Sequence, residues 1–387
     1  RIILLGYITV LQKVRCHSNQ RFGGKKDLLL LDNNVLASCQ FEQIIDEIRK
    51  SGFTKNSRYI EPNLYEIAIK NLKEGYNEKG YIKAIVKQYK LLIKKFGDNG
   101  QWIYDLLSEN HLLYDYTASK DAILKTYNTL KPCFEKIYNK RPKRRFVDFN
   151  QGIDARLITD NNMKKLSEIP VNPVRIAFDH WELHDIYEKA VRTAVKHGHK
   201  KLSNYVLYNF KDKPIELYKR LKLNIDLCNE LDVSIYSFPM KYHPIEDPDY
   251  FSNRDYIGVY WNRKFIRTIQ AILNSTKGKV GSGYSFFCKA FGKDEEEFMK
   301  LLYMPEEMII YRRYFEENGI TEKWWKAFTS IKNDKLVIAK KIIETNDFSN
   351  FENKTNDPEI IDLLSYYCIK KKELENKQSN MEGKHDI

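Results

Sequence analysis

No apolar run in this chain approaches the roughly 20 residues of a bilayer-spanning helix, so a membrane partner is not expected. The opening RIILLGYITVL is similar to a short signal core, but no small-residue cleavage site follows it. Paired cysteines are missing too. Cys16, Cys39, Cys133, Cys228, Cys288 and Cys368 all stand alone, with no CxxC among them. That spacing excludes a disulfide framework and a zinc ribbon, and it suits a reducing, cytoplasmic setting. An initiator methionine is absent as well. The chain starts at Arg1 and is expected to be processed or a fragment.

What is present is a soluble globular composition, with 42% hydrophobic and 30% charged residues in 387. That length holds one large α/β domain plus an accessory domain, or two or three small ones. The net charge is +13. A basic balance fits a nucleic-acid or anionic partner, or a Lys-rich composition spread along the whole chain. The one dense cluster is KRPKRR, residues 140–145. It is either an RNA-contacting segment or a solvated linker.

KDLLLLDNN (26–34) is a continuous apolar run ending in polar residues, the pattern of a parallel strand buried on both faces. FEQIIDEIRKSGF (41–53) follows with apolar residues at helical spacing and Gly52 as a stop. Residues 59–139 read as a helical insertion rich in Tyr and Lys. Strand–helix units then resume. RRFVDFN (144–150) precedes a helix over 159–168, PVRIAFD (173–179) one over 183–198, and LSNYVLYNF (202–210) one over 214–231. VSIYSFPM (233–240) closes the series, and the chain is helical from about 262. This alternation predicts a parallel sheet or barrel with right-handed crossovers. The last stretch, KKKELENKQSNMEGKHDI, is expected to be disordered by composition.

The strand ends share a habit: DNN, DFNQG, FDH, LYNF and SFPMK all gather polar groups at the carboxyl edge. Ligands bind at that edge in parallel α/β folds. Helix capping is the alternative use for any one of these side chains. Taken together, the five ends point to one polyhydroxylated or charged ligand.

DLLLLDNNVLAS, VDFNQGIDARL, VRIAFDH, LSNYVLYNFKDKP, YSFPMKYHP and WNRKFIRTIQAILNSTKG, in this order, resemble a bacterial family of radical S-adenosylmethionine proteins over residues 25–330. The resemblance implies an α/β fold: a partial parallel (β/α)6 barrel with a helical insertion and a helical C-terminal extension. It implies a 4Fe–4S cluster that reduces S-adenosylmethionine to a 5′-deoxyadenosyl radical. The expected organisation is 1–58 the start of the barrel with its first strand missing, and 59–139 the insertion. Residues 140–261 are the rest of the barrel, 262–370 the extension and 371–387 a disordered tail.

On that reading Asp32, Asn33 and Asn34 accept from the S-adenosylmethionine amine, and Asp148, Asn150 and Gln151 bind its ribose diol. Arg156 offers a fork to the carboxylate, and Gly152 permits close backbone approach. Asp179, His180, Asn204, Tyr208, Asn209 and Lys241 line the rest of the cavity, toward adenine or substrate. The family's CxxxCxxC motif precedes the DNN strand, where three thiolates leave one iron open for the cofactor. This chain has no such motif, so the cluster ligands are expected upstream of Arg1, together with a cobalamin-type domain that family members often carry.

HWELH (180–184) spaces two histidines at i, i+4 but puts Trp181 where a metalloprotease needs Glu. TKGKVGSGYS (276–285) has the glycine spacing of a phosphate loop but Tyr284 where Lys is required. Trp324 and Trp325 suit either base stacking or core packing. Two rivals stand beside the radical enzyme of unknown substrate: an RNA-binding or RNA-modifying protein, and a non-catalytic remnant of the barrel.

Overall fold

The structure, a computed structural model, describes residues 2–4, 24–31, 34–138, 141–244, 255–281 and 283–382. It is a mixed α/β protein with short strands in parallel sheets. The chain divides into two units. Residues 1–151 and 160–172 make the first, and 152–159 with 173–387 the second. The helical insertion therefore belongs with the first strands rather than forming a domain of its own.

In the first unit a parallel sheet runs β1 (Ile2–Leu4), β2 (Asp27–Leu30), β5 (Phe146–Phe149). A strand does lie beside β2 on the side where the sequence pattern predicts none, with Ile3 opposite Leu29. Leu28, Leu30, Val147 and Phe149 alternate onto a buried face, as the period of two requires. Helix α1 (Phe41–Lys50) buries Ile44, Ile45 and Ile48, three to four residues apart. Helix α6 (Asp160–Leu166), in the stretch expected to be helical, buries Met163 and Leu166.

The insertion is helical, as its pattern predicts: α2 (Leu64–Lys73), α3 (Glu78–Phe96), α4 (Gln101–Glu109) and α5 (Lys120–Ile137). These pack around one core in which the Tyr65 and Phe134 rings stack 3.8 Å apart. A two-residue antiparallel ribbon, β3 (Arg58–Tyr59) with β4 (Lys143–Arg144), joins the ends of the insertion.

In the second unit a parallel sheet runs β6 (Val174–Arg175), β7 (Lys201–Tyr208), β8 (Ser234–Lys241). Helices α7 (His184–Lys196) and α8 (Pro214–Leu231) follow β6 and β7. Asn204 and Ser237 are register partners on β7 and β8, so they share a face. Both face the helices: Asn224 of α8 donates to the Ser237 hydroxyl at 2.9 Å.

From Arg263 on, the described residues are mostly helical. Helices α9 (Arg263–Ser275), α10 (Tyr284–Phe291), α11 (Glu295–Tyr303), α12 (Glu306–Ile310), α13 (Arg312–Glu317), α14 (Ile320–Ser330), α15 (Asn333–Glu344) and α16 (Pro358–Ser365) build a large apolar core. Trp324 is buried there, so packing rather than stacking accounts for it. The stretch expected to be a disordered tail forms helix α17 (Lys371–Glu382). Lys and Glu are good helix formers, and Lys371 pairs with Glu375 one turn on at 3.2 Å. Residues 383–387 lie outside the described ones. No described helix is long and apolar enough to cross a membrane.

Candidate functional site at the strand ends

In the first unit the predicted cofactor residues follow β2 and β5. Asp32 and Asn33 lie outside the described residues. Asn34 opens the 3-10 turn Val35–Ala37, and its Oδ1 is buried with no donor among the described residues. An amide oxygen without a partner is costly, which suits a hydrogen-bond donor arriving from outside the chain. Asp148 is half-buried on the face opposite Val147 and Phe149, beside Leu29. The amide of Asn150 donates to the Leu30 carbonyl at 3.1 Å and ties the two strand ends together. Gln151 is exposed.

The second unit opens at Gly152. Its φ of 93° is the left-handed region that favours glycine. A Cβ there would meet nothing nearer than the Arg175 carbonyl at 3.8 Å, so conformation rather than space explains the glycine. Arg156 is already engaged. Asp154 caps its backbone and holds its guanidinium through both carboxylate oxygens, the shortest bond being 2.6 Å. That bond holds the Asp154 carboxyl below its ordinary range. A carboxylate ligand would have to compete with Asp154 for the fork.

The residue that organises this edge carries no sequence signature. Arg220, on α8, is fully buried. Its guanidinium donates to the carbonyls of Asp179 at 2.6 Å, Leu207 at 2.8 Å and Phe178 at 3.3 Å, and to the Asp212 carboxylate at 3.1 Å. One planar fork thus pins the chain beyond β6, the end of β7 and the loop that follows it. Burial opposes the Asp212 charge and raises that carboxyl. Nothing in the spacing around position 220 singles it out, because an arginine on an amphipathic helix normally faces water.

Asp179 sits at this clamp, half-buried, with its carboxyl pushed up by burial against the pull of His180 and Arg220. A half-buried carboxyl at a strand end can accept hydrogen bonds from a ligand. His180 is exposed, and His184 stacks on Trp181 at 4.5 Å. No group of three His, Cys, Asp or Glu that could hold a metal stands among the described residues.

Asn204, Tyr208 and Asn209 are placed away from a strand-end cavity. Asn204, 1% exposed, faces the helices and donates to the Tyr187 hydroxyl at 2.8 Å, which donates in turn to Asn224. Tyr208 lies on the same strand face and packs with Trp261 in the helical core. Asn209, at φ 68°, spends its amide on the Tyr256 carbonyl and the Gly258 N–H. It is a clip for the returning chain. The opposite face of the sheet carries the half-buried aromatic side chains Tyr205, Tyr236 and Phe238. Arg175 lies over Tyr205 at 5.7 Å, and Lys279 over Tyr236 at 3.6 Å. The segment read against a phosphate loop is thus an edge partner of β8, with Val280 bridging Ser237.

The basic cluster at 140–145 is only partly exposed. Lys140 lies outside the described residues, Lys143 pairs with Glu61 at 2.8 Å, and Arg145 turns inward over Phe53 at 5.0 Å. Arg144 stays exposed, directly opposite exposed Arg58 on the ribbon. Compared with family models, curated proteins and solved structures, the chain matches none.

Proposed function

We propose that the chain is the S-adenosylmethionine- and substrate-binding part of a radical S-adenosylmethionine enzyme. The observation that carries this reading is the Asn34 Oδ1 beyond β2, buried and without a donor among the described residues. Asp148 stands half-buried on β5, the strand that pairs with β2. Together they supply acceptors for an amine and a ribose hydroxyl. In the second unit, taken by itself, the aromatic face of Tyr205, Tyr236 and Phe238, with Arg175 and Lys279 over two of its rings, offers positive potential and ring edges to a flat, polar group. Asp179 would accept a hydrogen bond at its carboxyl.

Bound S-adenosylmethionine supplies, on reduction, a 5′-deoxyadenosyl radical for hydrogen abstraction. The described cysteines, Cys39, Cys133, Cys228, Cys288 and Cys368, are dispersed and do not fit a cluster. The test is calorimetric titration of S-adenosylmethionine into the chain. Saturable binding is expected with a Kd on the order of 1 mM, about −4 kcal/mol. Asn34→Ala should weaken it roughly tenfold, the worth of about one hydrogen bond. No saturable heat, or equal binding by Asn34→Ala, sinks the reading.

A second reading is favoured by one observation. Arg58 and Arg144 face each other across the ribbon. Like charges directly opposite are destabilising, and a phosphate backbone would relieve them. If RNA binds there, Arg58→Gln with Arg144→Gln should flatten the slope of log K against log salt by roughly 0.7 for each phosphate no longer neutralised. An unchanged slope would remove it.

A further inference from the structure

Helix α3 of the insertion carries charge of one sign. Between residues 79 and 96 it holds Lys79, Lys83, Lys87, Lys90, Lys94 and Lys95 and no acidic residue. The first five fall at i, i+4, i+8, i+11 and i+15. At about 100° per residue they share an arc of about 80°, and the stripe runs about 22 Å along the axis. All five are exposed. Lys79, Lys83, Lys87 and Lys94 make no side-chain ion pair or hydrogen bond among the described residues. Glu78, at the helix start, is turned to Lys120 at 3.9 Å. Like charges at i, i+4 repel one another on a helix, so the stripe weakens α3 unless an anion lies along it.

A second observation says what kind of anion. Tyr114 and Tyr116, in the loop between α4 and α5, stack on each other with ring centroids 5.3 Å apart. They are 51% and 80% exposed, so the pair fills no core. The Lys90 ammonium lies 5.6 Å over the Tyr114 ring, which sets the pair at the border of the stripe. Aromatic rings open to water beside a row of cations are a platform for stacked bases with their phosphates. A bilayer surface is a poorer match. A helix lying in the headgroups needs its apolar side free, and the apolar side of α3, with Ile82, Ile85, Val86, Tyr89 and Leu92, is spent on the core of the insertion. An acidic peptide would use the lysines and leave the rings idle.

We propose that this face of the insertion binds a single-stranded nucleic acid. The α3 lysines take its backbone phosphates, and the exposed Tyr116 ring stacks on a base. The assignment uses none of the strand-end acceptors, so it is independent of the radical reading. With the reading at the Arg58–Arg144 ribbon it shares the class of partner and no residue.

The test is fluorescence anisotropy of short labelled oligouridylate and oligothymidylate, titrated with the whole chain over a range of salt. Log K should fall linearly with log salt. Lys83→Gln, Lys87→Gln and Lys90→Gln together should flatten that slope by roughly 2, about 0.7 for each phosphate no longer neutralised. Tyr116→Ala should weaken binding roughly tenfold at an unchanged slope, and Tyr116→Phe, which keeps the ring, should restore it. These four side chains are exposed, so the variants keep the fold. A preference for one oligomer over the other identifies the sugar. Loss confined to Arg58→Gln with Arg144→Gln moves binding to the ribbon and overturns the proposal. So does an absence of binding at low salt, or an unchanged slope in the triple variant. Equal affinity in Tyr116→Ala, the result expected of a surface for acidic peptides, overturns it too.

Discussion

Replacing Lys264 by methionine should make the protein more stable at pH 6 and slightly less stable at pH 10. Lys264 sits on α9 with its ammonium fully buried. It donates to the Thr268 hydroxyl at 2.8 Å and the Met304 carbonyl at 2.5 Å. Burial, the dominant cause, lowers its pKa from 10.5 to about 7. Between those values the unfolded chain holds a proton that the folded protein has shed. Stability therefore rises with pH across that window and is lowest below it. Each tenfold displacement is about 1.4 kcal/mol, so the fall from 10.5 to about 7 corresponds to about 5 kcal/mol below pH 7. About 4 kcal/mol of that is recovered between pH 6 and pH 10.

Methionine keeps the length and removes the charge. It also orphans the Met304 carbonyl, which costs about 1–3 kcal/mol. Thr268 still donates to the Leu302 carbonyl, so its loss is smaller. The balance at pH 6 favours the variant by about 2–4 kcal/mol, and the sign reverses only as the pH nears 10 and the lysine of the unfolded chain loses its proton. Urea unfolding of both proteins from pH 6 to pH 10 reads this directly, since all other titrating groups are shared. A difference between variant and wild type that stays constant across that range would refute the argument. It would mean that Lys264 keeps its proton in the folded protein.

Arg220→Met should cost about 3–5 kcal/mol, because it strands the Asp212 carboxylate in the interior together with the carbonyls of Asp179 and Leu207. Arg220→Lys should not restore it, since an ammonium cannot span those acceptors. The urea midpoint measures both. Gly258→Ala should loosen the 255–261 segment, because a Cβ would lie 2.4 Å from the Phe210 carbonyl oxygen. Faster hydrogen exchange at the Gly258 amide, which now donates to Asn209 at 2.9 Å, reports it.

The elements were legible because their periods are local. The leucine run from Leu28 marks β2, the alternation of Val147 and Phe149 around Asp148 marks β5, and spacings of three and four mark α1 and α7. The tail misleads because its composition is polar, yet Lys and Glu also favour an exposed helix stitched by pairs such as Lys371 with Glu375.

The side-chain assignments were less legible, and β7 shows why. Its sequence places Asn204 and Tyr208 at even positions with Leu202 and Val206, and Ser203, Tyr205 and Leu207 at odd ones. A run apolar on both faces does not say which set meets the helices, and a slip of one residue exchanges them. The polar strand end was readable; its direction was fixed only by α8, through Asn224 and Ser237. The same logic hides Arg220 and Lys264. Each is a cation on an amphipathic helix, where the bland expectation is exposure to water. Each is buried because its acceptors come from residues remote in the chain: Phe178 and Asp179 for Arg220, Met304 for Lys264. A buried charge is specified by partners that no local window contains. The strand ends, whose polar residues cluster in sequence, were therefore visible as a candidate site, while the arginine that holds two of them in place was not.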